Sequence, residues 1–375
     1  MNDLKSEIER RFSALRTDMQ AQGVDVLVLY SGQWRPEIVH YVSNYRLFGP
    51  CACALLPLGG DPVLFISDAG DYDRAKETGW IRDVRVFENY SMEEAAAVAR
   101  GFGRTAAIAG IETMTQDQYA AFAGLFGENN VKSGFTILNN AAIIKSPAEI
   151  EILRECAQIA DAGFLAMIEE TRIGIKEYEM AAHVNYAMSS AGADDNFEMI
   201  AIGRDLSCMH VPREYALRAG DFVLSEITPF KGSITYAVQQ CRTIKAGKAS
   251  DVESGCYNML VEALESALAI IKPGVRAKDV ALIQNQIIGK RGYEKYCNPP
   301  YMRSRGHNHG LGIFELTVDN EMELQPGMSM IVHPNQFVPE TGYLACGTQI
   351  LVTETGIERL SALPAKLYEV EVDNV

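Results

Sequence analysis

The chain has 375 residues, of which 47% are hydrophobic and 22% charged, a balance typical of a globular protein with a full core. Its 49 acidic and 34 basic side chains give a formal net charge of −15, so nucleic acids and anionic membranes are poor partners. No apolar run in the sequence approaches the roughly 18 residues that cross a bilayer. We expect an enzyme or a binding protein, and composition does not separate the two.

The cysteines and the first residues indicate the compartment. Eight cysteines are scattered along the chain without a C-x-x-C pair. The opening segment, MNDLKSEIERRF, is charged, has a helical pattern and lacks the apolar centre of a signal peptide. We therefore expect reduced thiols and a cytoplasmic location.

The first part of the chain alternates between strand and helix patterns. Apolar residues at helical spacing predict a helix over 4–22. Short apolar runs bounded by turn residues predict strands at 24–30, 51–57, 61–67, 83–89 and 105–112, with helices at 92–100 and 115–126. Strands that alternate with helices are typical of an α/β layer domain, which we place at residues 1–142.

The second part has longer helices and fewer crossovers. Ser146 and Pro147 mark a helix start, because serine caps helices and proline is accepted in the first turn. The pattern predicts helices over 148–170, 176–191, 251–271 and 277–291, extended segments at 197–203 and 222–245, and mainly strands and turns from about 295. Long helices beside such strands predict an α+β domain over residues 143–375.

Four histidines lie in this second part beside glycine, proline and polar residues. His307 and His309 are two residues apart, so on a strand their side chains point the same way, and the glycines after them let backbone approach a ligand. His333 ends an apolar strand, and His210 precedes a turn. Imidazoles serve both as acid/base groups and as metal ligands, so either role is open for these four residues.

Several motifs carry a resemblance that covers the whole chain. They are IIKSPAEIEILRECAQIAD (143–161), GDFVLSEITPFKGSITYAVQQCRT (220–243), GHNHGLG (306–312), LQPGMSMIVHPN (324–335) and, in the first domain, HYVSNYRLFG (40–49). In this order the motifs resemble the pita-bread superfamily, which holds creatinase, aminopeptidase P, prolidase and ectoine-hydrolase-like enzymes. The resemblance implies an α+β pita-bread catalytic domain preceded by a smaller creatinase-type α/β domain.

The resemblance also implies where metal ligands would lie. Metallopeptidases of this superfamily bind two divalent ions through two Asp, one His and two Glu side chains. In this sequence the matching positions hold Glu226, Gln239, His309, His333 and Gly347. Two cations about 3.5–4 Å apart need several anionic oxygens, and a single carboxylate cannot supply them. The two-metal mechanism is therefore not expected here.

The leading hypothesis at this point is creatinase-like chemistry that requires no cofactor. Under this hypothesis the protein is a metal-independent hydrolase that cleaves a non-peptide C–N bond of a small carboxylated amine, amide or lactam. His210, which takes the position of the creatinase acid/base histidine, would exchange protons with water and the leaving nitrogen. Glu226 would activate the water or attack as a nucleophile, and His309 and His333 would polarise or protonate the substrate.

Five further residues are expected to bind the substrate. Gln239 would hold a carbonyl or amide group, and His307 is an additional acid or ligand. Arg305 could pair with a substrate carboxylate. Tyr45 and Arg46 match the place where dimeric members of the superfamily reach the site of the partner subunit, so we expect a homodimer with the partner's N-terminal domain near the site.

Two other classes of function stay open. One is a single-metal enzyme in which Glu226, His309 and His333 hold one divalent ion, and it includes a divergent Xaa-Pro peptidase. The other is a non-catalytic binding protein that has kept the fold. Four histidines expected at one pocket favour an enzyme.

Overall fold

The computed structural model describes residues 2–88 and 91–372, with side chains from residue 6 onward. Met1, 89–90 and 373–375, which belong to the predicted domains, lie outside the described residues. The chain forms two units. The N-terminal unit comprises Met1–Ala148 with the short segments Gly232–Thr235 and Gly310–Gly312, and the C-terminal unit comprises Glu149–Lys231, Tyr236–His309 and Ile313–Val375.

The N-terminal unit is built on a six-stranded sheet. Its elements in chain order are α1 (Asn2–Gln22), β1 (Val26–Gly32), α2 (Glu37–Ser43), β2 (Cys51–Pro57), β3 (Val63–Ile66), α3 (Tyr72–Thr78), β4 (Asp83–Val86), α4 (Glu93–Phe102), β5 (Ala106–Ala109), α5 (Gln116–Phe126), β6 (Val131–Ser133) and α6 (Phe135–Ile143). The strand order is β4-β3-β2-β1-β5-β6, in which β2 runs antiparallel to both β1 and β3.

Both faces of this sheet are covered, as the apolar runs predict. Along β1, Leu27 and Leu29 belong to one hydrophobic cluster, whereas Val26 and Val28 belong to another. Successive side chains of a strand point to opposite faces, so a strand that is apolar at every position needs helices on both sides. The predicted α/β character of this unit is therefore confirmed.

A short segment of the histidine motif completes the core of this unit. Leu311 is buried in it, between Gly310 at φ +72° and Gly312 at φ +81°. A Cβ on Gly310 would lie 2.3 Å from the backbone oxygen of Thr235. Glycine is needed at this position because left-handed backbone and a close approach coincide there.

Gly310→Ala is expected to lower the free energy of unfolding by about 2 kcal/mol or more, through backbone strain and a steric clash. Gly124→Ala on α5 is the matched control, because a Cβ there meets no atom within 4 Å and alanine favours helix. Urea denaturation of both variants measures the difference. Equal stabilities would show that the Gly310 turn can relax at no cost.

The C-terminal unit combines long helices with three sheets. Its elements are α7 (Pro147–Glu170), α8 (Glu177–Ser190), β7 (Asp195–Gly203), β8 (Phe222–Lys231), β9 (Tyr236–Ala237), β10 (Gln240–Ala246), α9 (Asp251–Ile270), α10 (Ala277–Ile288), β11 (Gly306–His307), β12 (Ser329–Val332), β13 (Gln336–Val338), β14 (Gly342–Leu344), β15 (Thr348–Val352), β16 (Ile357–Arg359) and β17 (Tyr368–Val370). The first sheet has the order β17-β10-β8-β7 with β9 paired to β8, the second is β11-β12-β15-β16, and β13 pairs with β14. This α+β architecture confirms the predicted fold class.

Strand register brings the positions of Glu226, Gly347 and His333 into one region of this unit. Glu226 on β8 lies opposite Cys241 on β10, and Cys241 forms a bridge to Gly347, just before β15. A Cβ on Gly347 would lie 2.6 Å from the Cβ of His333, which follows the end of β12. The two sheets therefore meet where the candidate residues leave their strands.

Within the described residues, no helix combines the length and apolarity that a membrane crossing requires.

Candidate functional site

His307, His309 and His333 form a cluster, called here the histidine cluster. The ring centroids of His307 and His309 are 4.5 Å apart, and those of His307 and His333 are 5.1 Å apart, both edge to face. Pairing of His307 with Ile331 on β12 explains the proximity, because His333 lies two residues beyond that partner. The structure thus brings together three of the four predicted histidines.

Burial keeps these imidazoles neutral. It lowers the pKa of His309 to about 3, and the neighbouring His307 adds to the effect. The pKa of His333 lies well below its usual value for the same reason. A neutral imidazole has one N–H group, which can polarise a carbonyl by hydrogen bonding. It lacks the second ring proton of the imidazolium form, which would act as an acid at pH 7. The two roles predicted for His309 and His333, polarising and protonating the substrate, stay predictions.

Two nitrogens of the histidine cluster are buried without a partner. Among the described residues, no hydrogen bond reaches Nε2 of His309 or Nδ1 of His333. Buried polar atoms are nearly always hydrogen-bonded, and exceptions are common where a ligand binds. These two nitrogens therefore keep hydrogen-bonding capacity that no described group of the protein uses.

Glu226 is a buried carboxyl group on the neighbouring sheet. Its Oε1 accepts a hydrogen bond from Nδ2 of Asn335 at 2.6 Å. Burial raises the pKa of Glu226 to about 7 from an ordinary value of 4.5, because the charged form loses its hydration. A carboxyl group with this pKa can both accept and release a proton at neutral pH, which is the property that acid/base catalysis requires.

Asn335 connects Glu226 to a buried guanidinium. Its side-chain Oδ1 accepts from the backbone N–H of Cys346 at 2.7 Å, and its backbone oxygen accepts from Nη1 of Arg305 at 2.9 Å. Arg305 is only 1% exposed and also donates to the side-chain oxygens of Asn285 and Gln336, at 2.6 and 2.8 Å. These contacts give Arg305 neutral oxygen partners inside the protein, and its role as a substrate anchor stays a prediction.

Gln239 is also buried and lies next to the same strands. Its Nε2 donates to the hydroxyl oxygen of Thr228 at 3.4 Å, and its Oε1 accepts from the thiol of Cys241 at 3.6 Å. The side chain is therefore engaged within the protein, and its predicted contact with substrate is untested.

His210 lies on the loop between β7 and β8. Its Nδ1 is 3.0 Å from the backbone oxygen of Val211 and 3.6 Å from Oε2 of Glu177, and its Nε2 accepts from Nη2 of Arg213 at 2.5 Å. The ring is partly exposed, whereas His333 of the histidine cluster is buried. Its predicted acid/base role stays a prediction.

Tyr45 and Arg46 belong to the N-terminal unit. Tyr45 is buried, and its hydroxyl donates a hydrogen bond to Oδ2 of Asp71 at 2.5 Å. The hydroxyl group therefore has a partner within the N-terminal unit. Arg46 is exposed, and its backbone oxygen accepts from Nη2 of Arg74 at 2.6 Å. Their predicted approach to a partner subunit's site and the predicted homodimer stay predictions.

Comparison with known proteins shows the family. The model described as "Metallopeptidase family M24" matches residues 151–354, and that of "Creatinase/Prolidase N-terminal domain" matches residues 11–141. The chain belongs to metallopeptidase family M24. The predicted pita-bread superfamily is thereby confirmed, together with its N-terminal creatinase-type domain.

Similar M24 proteins include named dipeptidases. The Xaa-Pro dipeptidase of Pyrococcus furiosus is 28% identical over 89% of this chain and 93% of its own length. The crystal structure of the prolidase from Pyrococcus horikoshii OT3 has a TM-score of 0.84 at 26% identity, covering 95% of this chain and 99% of that chain. The Xaa-Pro dipeptidase from Bacillus anthracis gives a TM-score of 0.84 at 25% identity, covering 97% and 100%.

These comparisons correct the leading hypothesis. A metal-independent hydrolase of a non-peptide C–N bond is contradicted, because the family is one of metallopeptidases and these relatives are Xaa-Pro dipeptidases and prolidases. The coarser prediction, a hydrolase of carbon–nitrogen bonds, is supported, since peptidases cleave peptide C–N bonds. The findings support the peptidase alternative.

The side chains of this M24 member do not fit a two-metal centre. Glu226 is the one carboxylate among the five matching positions, and burial favours its protonated form. Position 347 has no room for a ligating side chain beside His333. Within residues 2–88 and 91–372, no group of three or more His, Cys, Asp or Glu side chains is arranged to hold a metal ion. The single-metal alternative therefore has no three-ligand geometry in this structure.

Sequence reasoning missed two residues of this region. Asn335 ends the HPN triplet that contains His333. Its closeness in sequence to that histidine could have indicated that it belongs to the site. Glu177 is the first residue of a helix and carries no motif that points to the loop of His210. Contacts between residues distant in sequence are what bring both into the region.

Proposed function

We propose that this protein hydrolyses the peptide C–N bond of small peptides, with Xaa-Pro dipeptides as the first substrate class to test. The family supports a peptidase, and the similar proteins named above support the dipeptide class. In the reaction, the oxygen of water bonds to the carbonyl carbon, the C–N bond breaks, and the leaving nitrogen takes a proton.

The observation that carries the proposal is the pair of unpartnered buried nitrogens on His309 and His333. An imidazole N–H at either position can donate to a carbonyl oxygen as negative charge develops on it, and such donors are most effective in a buried site. The neighbouring Glu226 can take the proton of the attacking water and return it to the leaving nitrogen. His210 supplies a second acid/base group in this proposal.

The test is release of free proline from a panel of Xaa-Pro dipeptides, with dipeptides that lack proline as the comparison. We expect His309→Gln to lower kcat/KM by about 100-fold or more, because one stabilising donor is typically worth that much. His183→Gln on α8 is the matched control, since His183 is half-exposed and faces Glu170. Equal activity of the two variants would exclude the histidine cluster as the site.

The same assay decides between the remaining alternatives. The enzyme is treated with a chelator and then given Mn²⁺, Co²⁺, Zn²⁺ or Fe²⁺ one at a time. Activity that requires one of these ions would favour the single-metal enzyme. Calorimetric binding of a dipeptide without turnover under any condition would favour the non-catalytic binding protein.

A further inference from the structure

Glu177 is a buried carboxylate that the family resemblance did not single out. It is the first residue of α8 and is fully buried. Its Oε1 accepts from the backbone N–H of Ile202 at 2.8 Å, and its Oε2 accepts from that of Arg213 at 2.6 Å. Ile202 and Arg213 lie on either side of His210 in sequence, so one carboxylate ties both ends of the segment that carries this histidine.

The same carboxylate faces the ring of His210. Oε2 of Glu177 lies 3.6 Å from Nδ1 of His210, and the backbone oxygen of Val211 lies 3.0 Å from that nitrogen. On the opposite edge of the ring, Nε2 accepts from Arg213. Both sets of contacts require a hydrogen on Nδ1 and a lone pair on Nε2, which is the tautomer of a base that acts through Nε2.

We infer that Glu177 is a positioning residue for His210. It holds the loop through two backbone hydrogen bonds and favours the tautomer with the lone pair on Nε2, which can accept a proton when Arg213 does not donate to it. A buried carboxylate oriented towards one imidazole nitrogen serves this purpose in other hydrolases, where loss of the correct tautomer reduces kcat strongly. The expected effect of Glu177 on kcat rests on the proposed function. Its expected effect on the tautomer of His210 does not.

The neighbouring charges agree with this assignment. Arg213 places its Nε 3.6 Å from Oε2 of Glu177, but the Arg213 side chain is 57% exposed, so its cation is largely hydrated. A fully buried carboxylate with such a partner is costly to maintain. A neutral amide has only one acceptor oxygen, so it could not accept both backbone N–H groups as this carboxylate does.

The experiment compares Glu177→Gln with Glu179→Gln in the full chain. Both glutamates lie in the first turn of α8 and accept backbone N–H groups, but Glu179 accepts from Lys176. We expect Glu177→Gln to lower kcat for the dipeptide about 10- to 100-fold with KM changed less than threefold, and Glu179→Gln to change kcat less than threefold. In a second comparison, Glu177→Gln is added to the His210→Gln variant. We expect the double variant to have a kcat less than threefold below that of His210→Gln alone. Equal losses in the two backgrounds would overturn the inference.

A second measurement needs no substrate. In protein labelled with ¹⁵N-histidine, nitrogen chemical shifts report which ring nitrogen of His210 carries hydrogen. We expect the Nδ1-protonated form to dominate in the wild type and in Glu179→Gln, and to lose its dominance in Glu177→Gln. Glu177→Asp, which keeps both oxygens but withdraws them from the ring, should lose it as well. An unchanged tautomer in both Glu177 variants would refute the positioning role, whereas absent dipeptidase activity in the wild type would refute only the proposed function.

Discussion

Glu226→Gln is expected to raise the free energy of unfolding at pH 8 by about 3 kcal/mol and to leave it nearly unchanged at pH 4.5. The carboxyl group has a pKa of about 7 in the folded protein and about 4.5 when unfolded, and each pH unit is worth about 1.4 kcal/mol. Between these values the folded state binds more protons, so stability falls as pH rises and the loss is complete above about pH 7. Glutamine removes this cost and still offers an oxygen to Asn335.

Guanidinium chloride denaturation of both proteins at pH 4.5, 6 and 8 measures the effect as a difference between variant and wild type. Glu169→Gln on α7 is the control, because its side chain is exposed and should shift stability by less than about 0.5 kcal/mol at every pH. A variant that is less stable than the wild type at pH 8 would contradict the prediction. That outcome would show that a nearby cation, such as a bound metal ion, keeps Glu226 ionised.

The second large effect is expected at Asn335. This residue is fully buried, and its amide donates to Glu226 and accepts from the N–H of Cys346. Asn335→Leu keeps the approximate size but leaves two buried polar groups without partners, each costing about 1–3 kcal/mol. We expect the free energy of unfolding to fall by about 3 kcal/mol or more at pH 6.

Asn140→Leu is the matched control for this substitution. Asn140 is exposed on α6 and donates to Oδ2 of Asp18 at 2.7 Å, so its loss should cost less than about 1 kcal/mol. Where Asn335→Leu does not fold, Asn335→Asp is used, since it keeps the acceptor for Cys346. A cost below 1 kcal/mol for Asn335→Leu would mean that water replaces the lost contacts and that the site is not dry.

Local patterns predicted most of the secondary structure. The helices expected over 148–170 and 251–271 occur as Pro147–Glu170 and Asp251–Ile270, because their apolar faces repeat at helical spacing and a Ser250 capping box starts the second one. The strand Val131–Ser133 was missed within a polar stretch. It is an edge strand of three residues with mostly exposed side chains, so it carries no apolar signal.

The histidine cluster was predictable in part for the same reason. The spacing of His307 and His309 placed both on one side of a strand, and His333 followed an apolar run. Their neutral state could not be read from the sequence, because it depends on burial by residues from other strands. We expected His210 to converge on the same pocket. Within the part of the chain that the structure describes, its ring contacts Glu177, Val211 and Arg213 and no residue of the histidine cluster.

The leading hypothesis for function was wrong about the bond that is cleaved, because it named a non-peptide C–N bond. Three of the four carboxylate positions of the metal site hold other residues, and this pattern by itself predicts creatinase-like chemistry. Missing ligands bear on how a reaction is catalysed. The bond that is cleaved is better judged from overall similarity, and the similar proteins named above are dipeptidases.

By itself, the sequence determined the fold class, the elements with strong periodicity and the family, since these follow from the order of residues along short stretches and from motifs in series. The tertiary structure decided which groups share an environment. Asn335 and Glu226 are 109 positions apart, and Glu177 lies 33 positions before the histidine it faces. Their charge states depend on desolvation and hydrogen bonds that arise only when distant strands pack together, so no local pattern could have specified them.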